Sequence, residues 1–413
     1  MVLALCALFF SCRSDTLDGL ARARAAQAET GKKRIVVGVV WPSELRKDFF
    51  LHGLQLALEE INEQGLLGRD VKLLIRDDHN NYQKAREIAL SFAHNTEMTA
   101  VIGHAASGVT LPVSVIYNKA GLLFINTAST NSTLSRHGLD MFFRIVPDNS
   151  AFAKHAALYT YLMGYRKPVI IYVRGYYGKD LSNLYQAFMG KLGVSVVRQY
   201  GFFRGDTDWR PVFRQLKNLD YDIIFVGASV PECIRLIAQA RTWGLTAPVI
   251  GSDGFDAHRM LSEGGDAVEG VMYCGVYNPA SAGTVNRAFV EKFQKKYGQM
   301  PDTEAAQAYD ALSLLACAVR KTKSTNPAQL AANLNYVERW EGATGSHSLD
   351  EHGDVVDKPI YFKQIVDHKA RIVDFAPNQL QALQQQLGGL VTAGNTADSS
   401  AGRAGDRSAG RRP

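Results

Sequence analysis

Short apolar, β-branched runs alternate with amphipathic helical stretches along most of this chain, and few architectures accommodate such an alternation. Residues 34–40 read as a buried strand. Asp48 is placed to cap a helix with Leu54, Leu58 and Ile61 on one face and Gly65 as its stop. Strand patterns recur at 71–75, 100–102 and 122–125, with helical patterns at 85–92 and 110–120 between them. After 142–146 the chain meets Pro147, Asp148 and Asn149, and the pattern restarts. The second series has strands at 169–173, 194–197, 223–226 and 249–250, with helices at 151–162, 181–192, 211–219 and 233–243. A strand at 271–275, long helices at 286–297 and 304–321, and a hairpin of 360–366 with 371–375 complete it. Serial βαβ units build parallel sheets covered by helices on both faces. Two such series predict an α/β protein with two Rossmann-like lobes.

The ends of the chain differ from this body. Residues 2–10 are apolar but too few to span a bilayer, and they have the character of the apolar core of an export signal. Ser11-Cys12 follows and resembles a bacterial lipoprotein cleavage site, with Cys12 as the acylated residue. The alternative is plain secretion with cleavage after Ala28. Residues 13–33 read as a polar linker. Residues 376–413 read as a tail whose last part, rich in Gly, Ala, Ser, Asp and Arg, cannot bury enough surface to order itself.

Composition narrows the function. The net charge of +6 comes without a basic block interleaved with aromatics, so nucleic acid is not an expected partner. The five cysteines, Cys6, Cys12, Cys233, Cys274 and Cys317, form no CxxC pair, and no histidine cluster has metal-ligand spacing. Neither a metal nor a cofactor is expected, and the last three cysteines read as small buried hydrophobes. GxSxG, P-loop, HExxH and GxGxxG patterns are absent. His104 near Ser107 is the nearest approach to a nucleophile–base pair, so an enzyme is not the expected reading.

What remains is a set of small and hydroxyl-bearing residues at strand ends. The loop 103–110 holds Ala106 and Ser107 at the start of a helix, where backbone N–H groups can receive an anion; Ser107 as a plain helix cap is the competing reading. The next strand end, 126–133, contains Ala128 and Thr130. Neighbouring parallel strands lie about 5 Å apart, so Ser107 and Thr130 can grip one carboxylate together. In the second series, Tyr177, Ser229 and Asp253 also follow strands; Tyr177 can pack over a ligand and Asp253 can pair with a cation, or serve as an ordinary turn aspartate before Gly254.

These stretches, with Ile61-Asn62, Gly68-Arg69, Asp77-Asp78, Gly121-Leu122-Leu123, Phe143-Arg144, Pro231-Glu232 and Gly251-Ser252-Asp253-Gly254 in order, resemble the type I periplasmic binding proteins, in particular the leucine/isoleucine/valine-binding group that serves ATP-driven importers. The resemblance implies that Ser107, Thr130 and the Ala128 backbone bind an amino-acid carboxylate. It implies that Asp253, where those binders typically carry Glu, binds the ammonium, and that Tyr177 covers the ligand. A second tyrosine expected near Ser229 is absent. The loop 41–45 replaces a Gly- and Ser-rich one, and Trp41 is expected to enter the pocket, narrowing it or stacking on the ligand.

The expectation is an exported, monomeric receptor that closes by hinge motion on an amino acid or similar small polar solute and delivers it to an ABC permease. Any membrane contact would be through a lipid anchor. Lobe 1 would comprise 34–147 and 278–354, and lobe 2 would comprise 148–277 and 355–375, with crossovers near 146–149, 276–279 and 353–358. A sensory protein of the same fold that recognises an amide, urea or organic acid is the alternative. A hydrolase is the remote one.

Overall fold

The apolar runs pair as parallel strands. In this computed structural model, which describes residues 16–29 and 34–375, the first strands are β1 (Ile35–Val40), β2 (Val71–Arg76), β3 (Met98–Gly103), β4 (Leu123–Asn126) and β5 (Phe142–Arg144). They form one sheet in the order β2-β1-β3-β4-β5, parallel at every pairing. Every residue of β1 and β3 is buried, because helices cover both faces.

The second lobe contains β6 (Pro168–Val173), β7 (Arg198–Phe202), β8 (Ile223–Gly227), β9 (Val249–Ile250) and β10 (Met272–Gly275), also mutually parallel. Three short strands, β11 (Trp340–Gly342), β12 (Gly345–Leu349) and β13 (Val355–Val356), form a small antiparallel sheet. The hairpin β14 (Tyr361–Val366) and β15 (Lys369–Ile372) then joins the second sheet, giving the order β15-β14-β10-β9-β8-β6-β7. The chain changes lobe after β5, into the helix Asn149–Leu162; after β10, into the helices Thr284–Tyr297 and Thr303–Thr322; and after β13, into β14.

Each sheet is sandwiched between two apolar clusters. In the first lobe, the helices Phe50–Gln64 and Thr303–Thr322 approach so closely at Gly53 that a Cβ there would lie 2.0 Å from the Ala305 carbonyl oxygen. That contact fixes the start of the second helix, which reaches the cleft between the lobes.

Several local expectations are corrected. The strand expected at 194–197 is β7, a few residues later: Val194 and Val196 instead pack into the core beneath it. β7 is an edge strand, paired on one side only, so it tolerates Arg198 and Gln199. Cys233 and Cys274 are buried thiols, but Cys317 is exposed, on the outer side of its helix. The small three-stranded sheet lacks an apolar run long enough to announce it.

The largest correction concerns the expected linker. Within it, Leu17–Glu29 is a helix that packs against the helices Tyr82–His94 and Ser107–Lys119. Its composition hides this, because the side chain that anchors it is an arginine. Arg24 is fully buried and donates to the carbonyl oxygens of Met98 (3.1 Å), Ala93 (2.7 Å), Asn95 (3.2 Å) and Ala120. Ala93 is the penultimate residue of one of those helices, Asn95 caps it and Ala120 caps the other, so the cation satisfies carbonyls that a helix end leaves open. Burial lowers the Arg24 guanidinium to about 10. Cys12 and the segments 1–12 and 376–413 lie outside the described residues.

Arg24→Met should remove all four bonds while keeping much of the packing volume. A loss of stability on the order of 3 kcal/mol is expected, read as a lower denaturant midpoint; an unchanged midpoint would show that the helix is not anchored this way.

Candidate functional site

The C-terminal ends of β3 and β4 face those of β6, β8 and β9 across a cleft of about 310 Å³, at the small end of the usual range for ligand pockets. Ala106, Ser107 and Ala128 line it from the first lobe, and Tyr177, Ser229 and Asp253 from the second.

On the first side, Ser107 is the first residue of its helix and not its cap. The cap position is Ala106, in an extended conformation and making no side-chain bond. The first turn therefore presents unsatisfied N–H groups to the cleft, with the positive end of the helix dipole behind them. Ser107 Oγ accepts from Asn131 N at 3.3 Å. Thr130 is buried and is not among the lining residues; its Oγ1 has no partner, and its carbonyl accepts from Asn149 N at 2.6 Å. The joint grip by Ser107 and Thr130 is thus not formed in this geometry, because Thr130, in the loop after β4, packs against the crossover through its carbonyl. Arg144 shapes that loop: it is fully buried, chelates Asp354 with two bonds of 2.8 Å, and donates to the Asn131 carbonyl at 2.8 Å.

His104 takes no part in the cleft. Its Nδ1 lies 2.6 Å from Asp78 Oδ2 and its Nε2 3.0 Å from the Tyr117 hydroxyl, deep in the lobe. Trp41 is corrected as well: it is fully buried, stacked on Phe50 with ring centroids 3.7 Å apart, and donates to Asp48 at 3.0 Å. Asp48 in turn accepts from Phe50 N at 3.2 Å, beside the helix start whose cap position is Phe49. The indole faces the core because the apolar helix lies directly over the end of β1.

On the second side, the Tyr177 hydroxyl donates to Asp253 Oδ1 at 2.9 Å and accepts from Gly254 N at 3.1 Å. Any Cβ on Gly254 would sit 2.7 Å from that hydroxyl, so glycine is required for the approach. Burial pushes Asp253 up to about 6, with the Tyr177 bond pulling the other way.

The lobes also touch directly. Asn131 Nδ2 donates to the Tyr176 carbonyl at 2.6 Å, and Ser132 donates to Asp180 through both its N–H (2.9 Å) and its hydroxyl (3.0 Å). On the other side of the cleft, Thr303 Oγ1 donates to Asp256 at 2.7 Å, and Lys363 neutralises that carboxylate at 2.7 and 2.9 Å. Arg259 donates to the Leu45 carbonyl at 2.6 Å.

Sequence reasoning missed a further group in the cleft: Arg46, Asp256, Glu304 and Gln307. They come from three distant segments, and the trace available was a charged residue in an otherwise apolar helix start. Arg46 pairs with Asp48 at 2.8 Å and with Glu304. Folding also assembles what spacing along the chain hid: the ligand-type atoms of Glu44, Asp77 and His79 lie within 4.8 Å of one another on the outside of the first lobe. Among the described residues, no helix is long and apolar enough to cross a membrane.

The geometry can be set beside known proteins. The chain is 28% identical over 304 residues to the Leu/Ile/Val-binding protein homolog 1 of Brucella abortus (strain 2308), covering 73% of this chain and 81% of that one. An ABC transporter substrate-binding protein from Desulfitobacterium hafniense, solved in complex with Leu, superposes with a TM-score of 0.74 at 32% identity, over 82% of this chain and 100% of that one. A leucine binding protein from Thermotoga maritima MSB8 gives a TM-score of 0.78 at 25% identity, over 83% of this chain and 99% of that one. These relatives are solute-binding proteins. The periplasmic binding protein family model matches residues 49–370, and the chain belongs to that family.

Proposed function

We propose that this chain is the extracytoplasmic receptor of an ABC importer and that it captures a free amino acid between its lobes. The observation that carries this reading is the opposition of charge across the cleft: open N–H groups at the Ser107 helix start on one wall, and the partly buried Asp253 carboxylate on the other. A zwitterion fits that polarity, with its carboxylate at the helix and Ser107, and its ammonium at Asp253. The hydroxyl of Tyr177 holds the aspartate in place, so the carboxylate is oriented before the ligand arrives. Thr130, with its unpaired hydroxyl, joins the carboxylate site only through a small movement of its turn.

The two lobes, taken as 34–147 with 278–354 and 148–277 with 355–375, hinge at the three crossovers. The bonds from Asn131 and Ser132 to the second lobe are the latch of the closed form. A monomer exported to the periplasm, tethered through Cys12 and docking on a permease without turnover of the solute, completes the reading.

Asp253→Asn should lower amino-acid affinity by roughly two to four decades in titration calorimetry, since one partner of a buried charge pair is lost. The pH dependence has a definite sign. The bound ammonium favours the carboxylate, so protons compete with the ligand: affinity holds above about 6 and falls as pH drops through that value. Affinity that is flat from pH 8 to 5 would exclude Asp253 as the ammonium site.

Asp180→Ala should weaken closure, at the further loss of one bond within the second lobe, from Asn149 Nδ2 at 2.9 Å. A loss of roughly ten- to hundredfold in affinity is expected from charge-assisted bonds, together with a smaller ligand-induced decrease in radius of gyration by X-ray scattering.

A further inference from the structure

The part of the cleft beyond the zwitterion site is polar, and two of its polar atoms are buried without a partner. Glu304 is 5% exposed and Gln307 is 3% exposed; both line the cleft from one helix, one turn apart. Glu304 spends Oε1 on Arg46, and its Oε2 is buried without a partner. Gln307 Oε1 is likewise buried and unpartnered. Arg46 lines the same region from the first loop, with Nε on Asp48 and Nη2 on Glu304, and no hydrogen bond among the described residues uses its Nη1. Arg46 and Asp253 line the same cleft. The subsite is therefore contiguous with the proposed ammonium position, where a ligand's side chain must go.

Each class of side chain meets a different consequence there. An aliphatic side chain would leave Glu304 Oε2 and Gln307 Oε1, already buried, without a partner, and such groups cost about 1–3 kcal/mol each. A cationic side chain would approach Arg46, and an anionic one would approach Glu304. A neutral planar group with both a donor and an acceptor meets neither penalty. Its NH2 can donate to Gln307 Oε1 and Glu304 Oε2, and its C=O can accept from Arg46. Burial raises the Glu304 carboxyl, against the pull of Arg46. A group that both donates and accepts pairs with this carboxyl in either protonation state.

We infer that Arg46, Glu304 and Gln307 form a side-chain subsite for a carboxamide, so that the receptor takes an α-amino acid whose side chain ends in an amide in preference to a branched aliphatic one. This rests on the amino-acid reading above and narrows it.

The test is titration calorimetry of the full chain with glutamine, asparagine, leucine, glutamate and lysine. Glutamine or asparagine should bind at least about tenfold tighter than the other three, the equivalent of one bond's difference. The double variant Glu304→Leu/Gln307→Leu should reduce that ratio or invert it towards leucine. Gln307→Leu alone, which leaves the Arg46–Glu304 pair in place, should reduce it in part. The ratio is the readout, because a purely structural role would weaken all ligands together. Tighter binding of leucine, glutamate or lysine by the unaltered chain overturns the subsite while leaving the amino-acid reading standing. So does a ratio unchanged in the variants. Binding of no α-amino acid, in a chain that still unfolds cooperatively, removes the amino-acid reading and the subsite with it.

Discussion

A parallel sheet imposes one direction on everything built upon it. Each strand must be followed by a crossover helix, so strand C-termini and helix N-termini gather along one edge. In this molecule both sheets are parallel through their central strands, and their gathered edges face each other. The cleft is therefore lined on both sides by loops that leave strands and enter helices, with open N–H groups at the helix starts. A small polar solute placed there meets converging dipoles.

Charge buried around this cleft is handled by pairing. Asp256 is neutralised by Lys363 and bonded by Thr303 from the other lobe. Arg144 is spent on Asp354 and on carbonyls of the turn that carries Thr130. Breaking such buried pairs is costly, which makes the arrangement specific even where its net contribution to stability is small. Against that background, Thr130, Glu304 and Gln307 are among the residues with an unpartnered buried atom. Glu304 and Gln307 line the cleft, where a ligand can supply a partner, and Thr130 is buried outside its lining.

The N-terminal helix shows the limit of composition as a guide. Its segment is polar and rich in Ala and Arg, the character of a linker, and it would be one if Arg24 were in water. The arginine instead finds two helix ends whose open carbonyls lie within reach of a single guanidinium. Nothing local in the sequence marks this, because the acceptors belong to residues about 70 and 96 positions away. Trp41 fails in the opposite direction. Its position at a strand end suggested a ligand contact, whereas the Phe50 ring and the Asp48 carboxylate supply a better-packed alternative inside the lobe.

The sequence by itself determined the two parallel sheets and the edge at which a ligand would sit, because strand and helix periodicities are local and the handedness of their connections leaves few arrangements. It also placed Ser107, Tyr177 and Asp253 on that edge, since each directly follows a strand. Only the tertiary structure decided what the rest of the cleft contains. Arg46, Asp256, Glu304 and Gln307 meet there because three chain crossings fold distant segments together, and a contact between residues more than 200 positions apart, such as Arg46 with Glu304, leaves no local signature in either one.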